Sequence, residues 1–295
     1  MTPNGPDERA RGLAYALAAY LSWGLLPLYF KALRPVPALE ILAHRVLWSL
    51  ALLAGLLAAR GGWAAFRAPF RRDKLPLLAV TTTLISVNWL VYIWAVQVGR
   101  VLEASLGYFV NPLVNVLLGV LFLGESLSGR QRAAVALAGV GVLVLVVRAG
   151  TFPWISLVLA TSFGLYGLLR KRAAVDPVGG LLGETALLAP PALAYLALRA
   201  EAGTGAFGTA PGVTVLLAAA GVITALPLVW FTLGIHRLRL STMGLLQYVA
   251  PSGQFLLAVL LYREPFGPAH AAAFVFIWAS LAIYSWDAWA RTRAA

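Results

Sequence analysis

Apolar residues run along this chain in ten stretches of about 20 residues, each long enough to cross a ~30 Å hydrocarbon layer at ~1.5 Å per residue. The pattern predicts helices over 13–32, 38–59, 75–97, 101–123, 130–148, 153–170, 177–198, 212–234, 241–262 and 268–288. Pro37, Pro153, Pro177 and Pro268 fall at or beside the predicted first turns, where a missing N–H costs little. Ser128 and Gln131 have the spacing of a capping box at the start of the fifth stretch. The longest polar connections are 60–74, which is basic, and 199–211, which is rich in small residues. Neither is long enough for a separate domain.

The pattern repeats. Ser22-Trp23-Gly24-Leu25 returns as Ser162-Phe163-Gly164-Leu165, and the same offset of 140 relates Lys31 to Lys171, Pro37 to Pro177 and Leu42 to Leu182. Further along, an offset of 139 relates Arg100 to Arg239, Pro112 to Pro251, Asn115 to Gln254 and Glu125 to Glu264. The expected organisation is a polar tail over 1–12, a five-helix repeat over 13–148, a second repeat over 149–288 and a tail over 289–295. Five is odd, so the second repeat enters the membrane from the opposite side. The fold class expected is an all-α polytopic membrane protein of two inverted repeats, with a midplane site exposed to each face in turn.

Composition agrees with a lipid environment. The 295 residues are 61% hydrophobic and 12% charged, against about 25% charged in a soluble domain. The first apolar run lacks a convincing small-residue cleavage site and reads as an uncleaved membrane helix. With the N-terminus inside, sixteen of the 23 Lys and Arg fall on inner connections and six on outer ones, with Arg45 alone within a helix. That bias places both termini in the cytoplasm. The net charge of +12 is spread between apolar stretches, so an anionic lipid leaflet accounts for it and no nucleic-acid partner is expected.

Polar residues inside such helices are costly and usually face a partner or a cavity. Tyr108, Asn111 and Asn115 share one face of the fourth helix. Gln247 and Gln254, the repeat equivalents of Tyr108 and Asn115, share a face of the ninth, with Tyr248 beside them. These residues either line a central cavity or hold the bundle together by hydrogen bonds. Pro112 and Pro251 interrupt the same two helices, as hinges or as static kinks. Asn88 and Tyr92 on the third helix, Trp23 on the first and Tyr166 on the sixth offer aromatic and amide walls suited to a planar cargo. The same aromatics also suit a packed core.

Ionisable groups within the helices are few. His44 and Arg45 lie about eight residues in from the outer end of the second helix, and Glu184, the equivalent of His44, about as far from the inner end of the seventh. An Arg45–Glu184 pair, a proton-carrying Glu184, or structural charges are the alternatives. Glu40 reads as a helix N-terminal acid. Glu125 and Glu264 occupy mirrored ends, as gates or as helix-end groups. No phosphate-binding loop, no His-Glu-x-x-His site and no Cys is present, and His44, His236 and His270 lack metal-ligand spacing. No catalytic residue, metal or cofactor is therefore expected. The scattered acids argue against a membrane-embedded enzyme, and a scaffold would leave the mirrored polar faces without purpose.

Several stretches resemble a known family. Ala19-Tyr20-Leu21-Ser22-Trp23-Gly24-Leu25-Leu26-Pro27-Leu28-Tyr29-Phe30-Lys31 and Pro37-Ala38-Leu39-Glu40-Ile41-Leu42-Ala43-His44-Arg45-Val46-Leu47-Trp48-Ser49 are similar to the opening of RarD-type transporters. These form part of the EamA branch of the drug/metabolite transporter superfamily. Asn88-Trp89, Glu103-Ala104-Ser105-Leu106-Gly107-Tyr108-Phe109-Val110-Asn111-Pro112-Leu113, Leu123-Gly124-Glu125 and Leu245-Leu246-Gln247-Tyr248-Val249-Ala250-Pro251-Ser252 continue the likeness over nearly the whole chain. The resemblance implies a ten-helix inner-membrane exporter of small metabolites or drugs, amino-acid-like or chloramphenicol-like. The family carries a chloramphenicol-sensitivity label. A passive facilitator or importer with the same fold is the alternative. The expected partners are a small-molecule substrate, the lipid bilayer, a proton as candidate coupling ion, and a second copy in a homodimer.

Overall fold

A computed structural model describes residues 6–59, 70–124, 127–149, 152–173, 177–235, 237–238, 243 and 246–294. Among them, helix is the only regular secondary structure. The segments are α1 (Pro6–Ala32), α2 (Ala38–Ala59), α3 (Leu75–Gln97), α4 (Val101–Leu123), α5 (Gly129–Ala149), α6 (Trp154–Ala173), α7 (Pro177–Glu201), α8 (Pro211–Ile235), α9 (Val249–Leu256) and α10 (Pro268–Ala294). A π-helical turn, Leu257–Leu261, continues α9. Eight of these helices are long and apolar enough to cross a membrane, while α6 and α9 contribute shorter apolar stretches, Trp154–Arg170 and Val249–Leu261. The chain is a helical polytopic membrane protein. In hydrocarbon each backbone N–H and C=O must be satisfied within the protein, and a helix does this without help from a neighbour. Large apolar side chains such as Leu121, Val147, Val215 and Leu260 point outward, as a lipid-facing surface requires.

Local signals set the helix ends. Ser128 and Gln131 form the predicted reciprocal box: the Gln131 N–H donates to Ser128 Oγ at 3.1 Å, and the Ser128 N–H donates to Gln131 Oε1 at 3.1 Å. The Pro37 carbonyl accepts from the Glu40 and Ile41 N–H groups at the start of α2. Two expectations need correction. Helix α1 begins at Pro6, inside the expected polar tail, because Asp7 and Glu8 suit a helix N-terminus and Glu8 pairs with Arg11 at 2.9 Å and Arg237 at 3.0 Å. Helix α9 is not a full-length copy of α4. The chain turns at Gln247 and Tyr248 and helix resumes at Val249, so Pro251 sits in a first turn, whereas α4 runs through Pro112.

Helix α4 packs on α6 and α9, α1 on α8 and α9, α3 on α6 and α7, α2 on α3, α7 and α8, α7 on α8, and α5 on α10. Small residues permit the closest approaches. Gly107 lies against Ser156, Gly24 against Ala250 and Gly253, and Gly141 against Ala273 and Ile277. With no hydrophobic drive between helices in lipid, such close packing supplies much of the association energy. Phe109, Phe255, Phe274 and Trp278 form a ring cluster among α4, α9 and α10, with centroids 4.8–6.2 Å apart. Four of the ion pairs join residues expected near the two membrane surfaces. Glu8–Arg237 and Arg130–Asp287 join positions assigned to the inner side, and Glu40–Arg199 and Arg100–Glu103 join positions assigned to the outer side.

Candidate functional site

Arg45 is the centre of the buried polar region. Its guanidinium lies 4.1 Å from the Trp89 ring centroid and 5.9 Å from that of Phe30. Its Nε donates to Thr224 Oγ1 at 2.8 Å. The side chain is buried, and none of the ion pairs among the described residues includes it. The expected alternative of an Arg45–Glu184 pair is not what the structure contains. Stacking on indole, worth about 2 kcal/mol when desolvated, and a hydroxyl partner from α8 stand where a carboxylate was considered.

A row of rings leads from Arg45 towards Glu184. Tyr29, Phe30, Tyr92, Tyr108, Phe163 and Tyr166 follow one another with centroids 5.0–6.4 Å apart. At its end the Tyr166 O–H donates to Glu184 Oε2 at 3.0 Å. Glu184 pairs instead with Arg170, Nη1 to Oε1 at 3.8 Å, with both side chains largely buried. His44 is separate from both groups: it stacks on Phe207 of the 202–210 connection at 5.1 Å.

The predicted amides are placed between helices. Asn88 donates from Nδ2 to Leu159 O and Ser162 Oγ, both at 3.0 Å, and accepts from the Tyr108 O–H at 3.3 Å. Asn111 donates to Ala160 O at 3.0 Å and accepts from Asn115 Nδ2 at 3.1 Å. On the other side Gln254 donates to Trp23 O at 3.1 Å, and the Trp23 ring packs with Tyr20 and Phe231. Helices α1 and α6 are thus each held through a backbone carbonyl by an amide from α9 and α4. A cargo reaching these amides exchanges for bonds already made. Half-buried Gln247 lies in the turn before α9, and Tyr248 lies beside Ser285 and Tyr284 of α10.

Two buried acids serve distant backbone. Glu264 accepts from the Val101 N–H at 2.9 Å and the Leu102 N–H at 2.8 Å, capping α4 from outside its own sequence. The π turn and Arg263, at φ 52°, bend the chain so that this carboxylate arrives there. Burial pushes the Glu264 carboxyl above the usual carboxylate range, while the two N–H groups and Lys31 draw it back. Glu125, expected as its repeat equivalent, lies outside the described residues, as does His236. Glu40 does more than start α2: its Oε2 pairs with Arg199 at 3.2 Å and its Oε1 accepts from the Ala206 N–H at 2.5 Å. Glu264→Ala is expected to cost about 1–2 kcal/mol, the range for a lost cap. It should also speed amide exchange at Val101 and Leu102 selectively, which hydrogen-exchange mass spectrometry would read.

Sequence reasoning did not single out Thr224, Phe30 or Arg170. Thr224 had one signal, a hydroxyl within a strongly apolar run; Arg170 was read only as one of a basic triplet, with Lys171 and Arg172.

Spanning helices around a buried cation and a row of rings define a polytopic membrane protein with a polar, aromatic interior. Residues 10–147 match the EamA-like transporter family. An uncharacterized transporter of Vibrio cholerae serotype O1 is 48% identical over 97% of this chain and 95% of its own length. Protein RarD of Streptomyces exfoliatus is 48% identical over 96% of this chain and 90% of its own. A crystal structure at 23% identity, covering 93% of this chain and 95% of its own, superposes with a TM-score of 0.59, a likeness of fold alone. The chain belongs to the EamA-like transporter family, in its RarD-type group, and is a membrane transporter.

Proposed function

We propose that the chain is a secondary transporter exporting small amphipathic metabolites or drugs across the bacterial inner membrane, both termini cytoplasmic. Its two inverted five-helix repeats exchange outward-open and inward-open shapes. The packing of the helices carries this reading. Exchanging α1–α5 with α6–α10 converts the α4–α6 contact into α9–α1, α1–α8 into α6–α3, α2–α8 into α7–α3 and α2–α3 into α7–α8. The α2–α7, α4–α9 and α5–α10 contacts convert into themselves. Such a bundle can rock either way at similar cost. The paired amide contacts of α1 and α6 and the two-ended grouping of ion pairs support it further.

Glu184 is the candidate proton carrier. It is a buried acid at the end of the aromatic row, with Oε1 accepting no hydrogen bond among the described residues. Its protonation would release Arg170, and a local charge change of this kind can bias a two-state bundle. The test is flux into proteoliposomes of labelled aromatic and aliphatic amino acids, indole-3-acetate, chloramphenicol, purines and short sugars, with protein shown to be folded, with and without a pH gradient. Saturable flux of one class is expected, accelerated by the gradient. Glu184→Gln should remove the acceleration and spare exchange of labelled for unlabelled cargo. Unchanged pH dependence in that variant would remove Glu184 from the coupling; absence of flux across the panel would count against the transporter mechanism as a whole.

A further inference from the structure

Arg45 and Tyr92 share a feature that packing does not explain. The guanidinium makes its hydrogen bond among the described residues through Nε alone, so Nη1 and Nη2 have no protein acceptor there. Tyr92 is 2% exposed, and its hydroxyl has no partner. Both groups touch the ring of Phe30, the guanidinium at 5.9 Å and the Tyr92 ring at 5.9 Å from its centroid. A buried orphan hydroxyl costs about 1–3 kcal/mol, and a buried cation without an anion costs more. In contrast, the neighbouring phenols are engaged: the Tyr29 O–H donates to Leu216 O at 2.9 Å, and that of Tyr108 to Asn88.

We propose that Arg45 and Tyr92 bind the carboxylate of a flat aromatic acid, whose ring lies along Phe30, Trp89 and Tyr108. Two guanidinium N–H donors match a carboxylate in fork geometry, and the tyrosine supplies a third donor. Aromatic faces line the same place, so the remainder of the ligand is planar and apolar. Among the described residues no carboxylate pairs with Arg45, and the buried acid at the far end of the aromatic row, Glu184, is already paired with Arg170, which favours a monoanion over a zwitterion. A single unpaired cation likewise favours a monoanion over a phosphate dianion. This assignment rests on the transporter reading and names its cargo.

The test uses the purified full chain and three probes: indole-3-acetate, its neutral analogue indole-3-acetamide, and phenyl phosphate, with affinities from calorimetry. Indole-3-acetate should bind at least about tenfold more tightly than the amide, one hydrogen bond to a charged group being worth that much. Tyr92→Phe should weaken acetate binding about tenfold and leave amide binding unchanged. The same change should hold or raise the melting temperature of the ligand-free protein, because it deletes an unpartnered hydroxyl; a tyrosine kept for structure would behave in the opposite way. Arg45→Lys retains the charge but loses the fork, and should also lose tenfold or more. Equal affinity for acid and amide, binding of neither, or full acetate affinity in Tyr92→Phe would overturn the proposal. Tighter binding of phenyl phosphate would replace the carboxylate with a dianion. Acetate binding without any flux in proteoliposomes would sink the transporter reading and leave the anion site standing.

Discussion

Gly221→Ala is expected to cost this protein more stability than any other single methyl group added to a buried glycine of α8. A Cβ at position 221 would land on the Trp48 carbonyl of α2, backbone against backbone, where no side-chain rotation relieves the overlap. The helices must move apart, and overpacking of this kind costs about 1–3 kcal/mol or more. Thr224 is one turn away on the same helix, so the displacement also draws its hydroxyl from Arg45 Nε, now 2.8 Å distant. The cation then loses the hydrogen bond it makes among the described residues. Gly55 is the matched control: a Cβ there meets nothing, and Ala should be neutral or gain up to about 1 kcal/mol of helix propensity. The temperature at which detergent-solubilised protein stops eluting as a single species should fall by several degrees for Gly221→Ala and hold or rise for Gly55→Ala. Equal temperatures would mean that α2 and α8 do not meet as closely as described.

Removal of Arg170 should be more damaging still, and reversibly so. Glu184 is fully buried, and Arg170 is its ion-pair partner at 3.8 Å. Breaking a buried pair from one side leaves an uncompensated charge, at about 3–5 kcal/mol. Arg170→Ala should therefore yield little folded protein. The double variant Arg170→Ala with Glu184→Gln should recover most of it, because a neutral amide needs no cation and still accepts from the Tyr166 O–H. Gly180→Ala should act as a milder form of Arg170→Ala, since the guanidinium occupies the space a Cβ would need. Thermal unfolding of the four proteins side by side decides the matter. A double variant no more stable than Arg170→Ala would show that Arg170 supports something other than Glu184.

Both expectations depend on contacts that could not be drawn from the chain alone. The crossings α2, α3 and α4 were legible to the residue, at 38–59, 75–97 and 101–123, because apolar length and terminal punctuation are local. The Ser128–Gln131 box was legible for the same reason: its partners are three residues apart. The break before α9 was not, since Gln247 and Tyr248 carry no obvious helix-stopping signal. The polar helix faces were visible as periodicity, yet periodicity does not say whether an amide meets a cargo or the carbonyl of a neighbouring helix. Asn88 and Asn111 were found to meet carbonyls of α6.

The sequence by itself determined where most of the apolar helices run and which connections carry the basic charge. Each of these follows from the demand of hydrocarbon on successive residues: enough apolar length and no unsatisfied backbone. Tertiary structure alone decided the partners of the buried charges. Arg45 met Thr224, 179 residues away, in place of Glu184, and Glu264 met the start of α4, more than 160 residues before it. A buried charge must find its partner among whatever side chains and backbone ends the packed helices bring within a few ångströms, and that choice has no expression along the chain.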